Sequence, residues 1–165
     1  RRQLVGVADP ALVPLVVEAL RELGHIRALV VHGQAGLDEL SPMGLTDVAE
    51  LHDGVVSQRT VSPEDFGLEP CSAEELAGGE PEDNARIILS VLEGEKQRGA
   101  RTAILMNAGA ALYVAGISDT LKEGTEAAAA ADTPVLTRRL TNILREMDLD
   151  KYWATNSFIG CLLCC

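Results

Sequence analysis

The chain has 165 residues, of which 47% are hydrophobic and 24% are charged. This composition is typical of a globular domain large enough to bury a hydrophobic core. Its 14 lysines and arginines are outnumbered by 25 aspartates and glutamates, which gives a formal net charge of -11. Such an acidic surface repels nucleic acid and anionic lipid, and no apolar run reaches the roughly 20 residues of a membrane span. We therefore expect neither a nucleic-acid nor a membrane partner, and an anionic substrate would need a metal ion or local cations.

The cysteines do not form a disulfide framework. Cys71 stands alone, and the chain ends with Cys161, Cys164 and Cys165. We expect a reducing compartment, which is the cytoplasm or, for a plant protein, the plastid stroma. The tail fits neither a lipidation signal nor a zinc cluster, because the cysteine spacing and the available partners are wrong for both. We interpret it as translation across a splice or frame boundary.

The N-terminal residues predict a strand, a helix and a second strand of a parallel sheet. The strands cover residues 3 to 7 and 28 to 31, and the helix covers residues 10 to 23 with Asp9 as its N-cap. The predicted apolar stripe of this helix consists of Leu12, Leu15, Val16, Ala19, Leu20 and Leu23. Because ligands bind beyond the carboxyl ends of parallel strands, residues 32 to 42 are the first place to look for chemistry. A strand this close to the first residue also leads us to expect sequence upstream of it.

The middle of the chain predicts a β-hairpin and then a long connection. Asp53-Gly54 lies between two strand-like runs, residues 47 to 51 and 55 to 61, and indicates a hairpin because both turn positions need positive φ. Residues 62 to 81 are interpreted as a surface connection that contains one capped turn after Ser72.

The C-terminal part predicts helices around one further strand. Pro81 opens a helix, and residues 103 to 106 are predicted to form a buried strand. Asn107 would cap the element that follows this strand, near the cleft. Thr120 and Glu123 form a capping box for a last helix that ends near residue 131.

Two adjacent carboxylates, Asp38 and Glu39, lie in the glycine-punctuated segment after the second strand. Magnesium in phosphate-handling enzymes takes one or two protein carboxylates and completes its octahedron with waters and substrate phosphates. Asp38 and Glu39 are therefore a candidate magnesium site. On spacing alone, a solvated acidic loop or the N-cap of a turn is the commoner arrangement for such a pair. His32, at the end of the strand, is interpreted as packed and hydrogen-bonded rather than as a base or ligand.

The order of several segments resembles anthranilate phosphoribosyltransferase, from residue 1 to about residue 131. The segments that carry the resemblance are Arg27-Ala28-Leu29-Val30-Val31-His32-Gly33, Gly36-Leu37-Asp38-Glu39-Leu40-Ser41, Pro63-Glu64-Asp65-Phe66-Gly67-Leu68, Gly78-Gly79-Glu80-Pro81-Glu82-Asp83-Asn84-Ala85 and Asn107-Ala108-Gly109-Ala110-Ala111-Leu112-Tyr113-Val114-Ala115-Gly116. The resemblance implies an incomplete α/β domain of the nucleoside phosphorylase and phosphoribosyltransferase type, with helices on both faces of a central sheet. We place this domain at residues 1–131 and treat residues 132–165 as a divergent tail.

The resemblance also implies an activity. The family transfers phosphoribose from phosphoribosyl pyrophosphate to anthranilate in tryptophan biosynthesis, and its acid pair, Asp38 and Glu39 here, binds Mg²⁺ on the diphosphate. The family's Gly-Thr-Gly-Gly-Asp loop, its Lys-His-Gly segment, its anthranilate-binding arginine and most of its dimer-forming helical domain have no counterpart in this sequence. We therefore assign no catalytic residue and expect the isolated chain to be inactive.

Two alternatives stay open at this point. The first is a non-catalytic fragment that acts only as an association module through exposed apolar surface. The second is an enzyme similar to the pyrimidine nucleoside phosphorylases of the same superfamily, against which the acidic segment Gly36 to Ser41 argues.

Overall fold

A computed structural model of the chain describes residues 1–92, 94 and 98–131. The elements follow in chain order as β1 (Arg2–Gly6), α1 (Leu12–Glu22), β2 (Arg27–Gly33), β3 (Thr46–His52), β4 (Val55–Val61), a 3-10 helix (Pro63–Phe66), α2 (Ala73–Leu76), α3 (Pro81–Leu92), α4 (Arg98–Ala115) and α5 (Leu121–Ala130). In this part of the chain no helix is both long and apolar enough for a bilayer crossing. The predictions for the cysteine-rich tail lie outside the described residues.

The four strands form one mixed sheet in the order β1-β2-β3-β4. β1 and β2 are parallel, with Gly6 opposite Val31, which confirms the predicted strand, helix, strand unit. β3 pairs with β2 and with β4 in the antiparallel sense. Asp53 and Gly54 have φ angles of 48° and 83°, so both turn positions of the predicted hairpin are in the left-handed region.

Helices pack on both faces of the sheet, as predicted. One core lies under α1 and joins Val13, Val17 and Leu20 to sheet residues such as Val30 and Leu51. The other core lies under α4 and α5, and it includes Leu29, Val31, Val48, Phe66, Met106, Ala110 and Leu121. Alternate residues of β2 therefore point to opposite cores, because successive side chains of a strand leave opposite faces.

The apolar stripe predicted for α1 is wrong in part. Leu12, Leu15 and Leu23 are 42%, 64% and 63% exposed, whereas Val13 and Val17 are buried. The helix also begins later than predicted, at Leu12, with Asp9 accepting a hydrogen bond from the Ala11 amide at 2.9 Å. The first turn is tightened by bonds between residues three apart, such as Leu12 N–H to Asp9 O at 2.9 Å.

The strand predicted at residues 103 to 106 is also wrong, because these residues belong to α4. Asn107 does not cap a helix and lies inside α4, 2% exposed. The buried positions Ala103, Met106 and Ala110 recur at steps of three and four, which is the spacing of one helix face. Small apolar residues occupy most positions on every side of this helix, so the period is hard to see in the sequence.

The remaining elements match the prediction more closely. The capped turn at Ser72 and the Thr120-Glu123 capping box both form, with each N-cap side chain accepting from the N3 amide. The connection after β4 is more than a surface loop, since its 3-10 helix buries Pro63 and Phe66.

A charged cluster lies between the sheet and α4, with Arg27, Glu50 and Tyr113 buried and Arg59 at its exposed edge. The Tyr113 hydroxyl donates to Glu50 Oε1 at 2.6 Å, and Arg59 lies 3.1 Å from Glu50 Oε2. The Arg27 guanidinium lies 3.8 Å from the centroid of the Tyr113 ring and 3.9 Å from Glu50 Oε1. Because the two arginines offset the Glu50 charge, the cluster ties β2, β3 and β4 to α4 without a net buried anion.

Candidate metal centre

The candidate site lies where β1 and β2 end side by side. The Val7 amide donates to the Val31 carbonyl at 3.0 Å, which continues the pairing of the two strands to their carboxyl ends. The chain then leaves β2 in a tight turn, in which the Gly33 amide donates to Leu37 O at 2.8 Å. This turn brings Asp38 and Glu39 back over the end of the sheet.

Gly6 sets the distance between the acidic segment and β1. A β-carbon on Gly6 would lie 1.6 Å from the carbonyl oxygen of Asp38, a separation that no side chain tolerates. Only glycine permits this approach of two backbones. The backbone of Asp38 therefore rests directly on the last residue of β1.

The residues after the acid pair are anchored as well. Leu40 and Ser41 are fully buried, and the Ser41 amide donates to Thr46 Oγ1 at 2.9 Å. The Ser41 hydroxyl in turn accepts from the Met43 amide at 3.3 Å. Both flanks of the pair are therefore fixed, while Asp38 and Glu39 themselves stay partly exposed.

Glu39 is half-buried beside another carboxylate. Burial and, to a smaller extent, the charge of Asp38 raise the pKa of Glu39 from 4.5 to about 7. Desolvation and a like charge both disfavour the ionised carboxylate. A divalent cation between such groups would offset both penalties.

Asn107 of α4 reaches the same place from the opposite layer. Its Nδ2 group donates to Glu39 Oε2 at 3.3 Å and to the Ala103 carbonyl at 3.0 Å. The sequence predicted Asn107 near the cleft, but as the cap of an element that follows a strand. The structure places its side chain against Glu39 from the middle of a helix.

His32 has the packed role that the sequence predicted. Its side chain is buried, and Nδ1 donates to the Val7 carbonyl at 2.9 Å, which joins the ends of β1 and β2. His32 therefore supports the floor of the site.

The donor set suits magnesium. Asp38 and Glu39 offer hard carboxylate oxygens, and over residues 1–92, 94 and 98–131 no three His, Cys, Asp or Glu side chains group together as a metal cage. Magnesium needs no such cage, because it retains several waters and takes phosphate oxygens from its substrate. Two carboxylates are also the share that a protein usually gives to a magnesium-diphosphate complex.

Similar proteins support the family assignment. The anthranilate phosphoribosyltransferases of Haloarcula marismortui and Methanobrevibacter smithii are 48% and 47% identical over 126 residues, which is 76% of this chain. The chain spans only 38% and 37% of these relatives, so it corresponds to a part of them.

Solved structures of the same enzyme have the same fold. Anthranilate phosphoribosyltransferase from Thermus thermophilus superposes with a TM-score of 0.72 at 37% identity, covering 85% of this chain and 42% of that one. The Saccharomyces cerevisiae enzyme in complex with PRPP and Mg gives a TM-score of 0.71 at 26% identity, covering 90% of this chain and 42% of that one. The predicted resemblance and α/β fold are thereby confirmed.

The family description matches most of the chain. Residues 1–133 match the glycosyl transferase family, a/b domain. Because this match covers most of the chain and the relatives above are nearly half identical to it, the chain belongs to the glycosyl transferase family through its a/b domain.

Proposed function

We propose that this chain supplies the magnesium and diphosphate site of an anthranilate phosphoribosyltransferase, an enzyme of tryptophan biosynthesis. The observation that carries the proposal is the acid pair Asp38-Glu39, held over the ends of β1 and β2 with the pKa of Glu39 raised to about 7. The relatives that carry this enzyme's name support it, as does the similar yeast structure that contains PRPP and Mg.

The reaction defines what the site must do. The amine nitrogen of anthranilate forms a bond to C1 of the phosphoribosyl group while the bond from C1 to the diphosphate oxygen breaks. Pyrophosphate leaves with the electron pair of the broken bond, and the attacking nitrogen then loses a proton to solvent. When bound, Mg²⁺ offsets the charge that develops on the leaving diphosphate.

The residues of this chain contribute positioning and charge. Asp38 and Glu39 would hold the cation, and Gly6 and Ser41 fix the backbone on either side of them. His32 keeps the two strand ends together through its bond to Val7 O. We assign to this chain the binding of Mg²⁺ and of the diphosphate group. Bond formation and bond breakage at C1 of the phosphoribosyl group would need the whole enzyme.

The whole enzyme has further properties that we propose by similarity. Since the chain spans 38% of the Haloarcula relative, the groups that bind anthranilate would come from the rest of such a protein. We expect the whole enzyme to be a homodimer of the cytoplasm or plastid stroma. The isolated chain should bind phosphoribosyl pyrophosphate with Mg²⁺ but should not turn over.

Ligand titrations followed by nitrogen-15 amide spectra test this proposal. Phosphoribosyl pyrophosphate with Mg²⁺ should shift the amides of Gly6, Asp38 and Glu39, whereas ribose 5-phosphate, which lacks the diphosphate, should leave them in place. A nucleoside with phosphate is the matched probe for a nucleoside phosphorylase. Shifts at these amides with that probe, and none with the diphosphate sugar, would overturn the proposal. Measurable transfer to anthranilate by the isolated chain would show that essential groups lie within it.

The exposed apolar residues along α1 favour an alternative function for the chain, that of an association module. Leu12, Leu15 and Leu23 give the helix an outward apolar edge, and surfaces of this kind promote association. Sedimentation of the chain at several concentrations separates the roles. Self-association that Leu15→Glu abolishes, without any response to Mg²⁺ and phosphoribosyl pyrophosphate, would support an association module.

A further inference from the structure

Asn107 is the residue of α4 that contacts the candidate metal centre. It lies 68 positions from Glu39 in the sequence, yet its Nδ2 is 3.3 Å from Glu39 Oε2. The side chain is 2% exposed, so water does not compete freely for this contact. A polar group is rarely buried at this depth without a hydrogen-bonding role.

The geometry of the amide group limits how Asn107 can move. A side-chain amide nitrogen carries two N–H groups, and in this structure one points to Glu39 and the other to Ala103 O, 3.0 Å away. The second bond ties the amide to its own helix, one turn back. The amide therefore presents a fixed donor to Glu39, because α4 itself is packed into the core through Met106 and Ala110.

A donor in this position selects one orientation of the carboxylate. Oε2 of Glu39 accepts this hydrogen bond, and in the proposed site Oε1 would be the oxygen available to a cation. Groups that hydrogen-bond a metal ligand fix its direction, and their loss usually lowers metal affinity about 10- to 100-fold. Burial and, to a smaller extent, the charge of Asp38 disfavour the ionised form of Glu39, and a hydrogen-bond donor offsets part of that cost.

We propose that Asn107 is a positioning residue for magnesium: it holds Glu39 in the orientation that binds the cation, without contacting the cation or the substrate. This proposal rests on the proposed function, in which Asp38 and Glu39 are the magnesium ligands. It adds a residue of α4 to a site that otherwise consists of the β1 end and the segment after β2.

The test compares two variants of Asn107 with one matched control. Asn107→Leu keeps the branched shape of the side chain and removes both hydrogen bonds, whereas Asn107→Ser keeps a hydroxyl for the Ala103 carbonyl and cannot reach Glu39. Thr125→Val is the control, since Thr125 is buried and donates to Leu121 O at 3.0 Å, a bond of the same kind in α5. The measurement is the calorimetric affinity of the full chain for phosphoribosyl pyrophosphate, in saturating Mg²⁺ and again in EDTA.

In Mg²⁺, both Asn107 variants should bind phosphoribosyl pyrophosphate at least about tenfold more weakly than the parent chain. In EDTA, their affinity should equal that of the parent. Thr125→Val should keep both affinities, even if its melting temperature falls as much as that of Asn107→Leu. Equal losses with and without Mg²⁺, or magnesium-dependent affinities within twofold of the parent, would overturn the role of Asn107. Glu39→Gln separates the two proposals. If it loses the magnesium-dependent affinity while the Asn107 variants keep it, only the role of Asn107 fails; if it keeps that affinity, both proposals fail.

Discussion

The backbone of Asp38 lies against the α-carbon of Gly6, so closely that a methyl group on Gly6 would come within 1.6 Å of the Asp38 carbonyl oxygen. This contact joins the end of the first strand to the acidic segment that follows the second. It explains why the segment stays on the sheet while carrying two adjacent carboxylates. The position of the candidate metal centre thus depends on a residue without a side chain.

Gly6→Ala should displace the acidic segment. The added methyl group meets backbone atoms that cannot rotate away, and overpacking of this kind costs about 1–3 kcal/mol or more. Gly44→Ala is the matched control, because a β-carbon there meets nothing within 4 Å. Urea denaturation should show a lower free energy of unfolding for Gly6→Ala only. Addition of Mg²⁺ should also stabilise this variant less than it stabilises the parent chain. Equal stability of the two variants would show that the close contact is absent in solution.

Glu39→Gln should stabilise the chain at high pH and not at low pH when no metal is present. The folded state raises the pKa of Glu39 from 4.5 to about 7, so it holds an extra proton between these values. Stability from this group is therefore fully present below 4.5 and is lost as the pH rises through 7. The amide of glutamine carries no charge and avoids that loss.

Thermal denaturation in EDTA measures the effect. The difference in melting temperature between Glu39→Gln and the parent should be close to zero near pH 4.5 and positive at about pH 8. Mg²⁺ with phosphoribosyl pyrophosphate should raise the melting temperature of the parent and leave the variant unchanged. A difference that does not vary with pH would contradict the raised pKa.

Truncations in α1 should distinguish its buried face from its exposed edge. Val17 is fully buried and Leu15 is 64% exposed, although both are apolar and lie two positions apart. Val17→Ala should lower the free energy of unfolding by about 2 kcal/mol, and Leu15→Ala by well under about 1 kcal/mol. Chemical denaturation checks both values. The reverse order would mean that α1 is rotated about its axis relative to this structure.

Tyr113 and Glu50 should be energetically coupled. The 2.6 Å hydrogen bond between them is buried and involves a carboxylate, and such bonds contribute about 1.5–3 kcal/mol. Tyr113→Phe keeps the ring against which Arg27 lies and removes only the hydroxyl. A double-mutant cycle with Glu50→Gln should give a coupling of roughly 1 kcal/mol. Strictly additive losses would show that the two groups act independently.

Local patterns were sufficient for several elements. The hairpin at Asp53-Gly54 and the capping box of Thr120 and Glu123 follow from side chains within four residues of each other, so both were predicted correctly. Local patterns failed where two sets of apolar residues in the same helix could each form its buried face. In α1 the residues Val13 and Val17 compete with Leu12 and Leu15 for the core, and only the sheet beneath the helix decides between them.

The site itself was predicted only in part. Asp38 and Glu39 were predicted as metal ligands from their chemistry and their place after a strand. Nothing near them in the sequence indicates that Gly6 and Asn107 contact them. Both contacts join distant parts of the chain, and Asn107 was assigned to the wrong kind of element. Recognising the helical spacing of Ala103, Met106 and Ala110 would have placed Asn107 in a buried helix that faces the sheet.

The most direct test of the whole account is calorimetric titration of phosphoribosyl pyrophosphate into the chain and into its Asp38→Asn/Glu39→Gln variant, each with and without Mg²⁺. If the two carboxylates hold the cation against the diphosphate, Mg²⁺ should strengthen binding to the parent chain at least about tenfold and should have no effect on the variant. An equal gain from Mg²⁺ in both proteins would contradict the account.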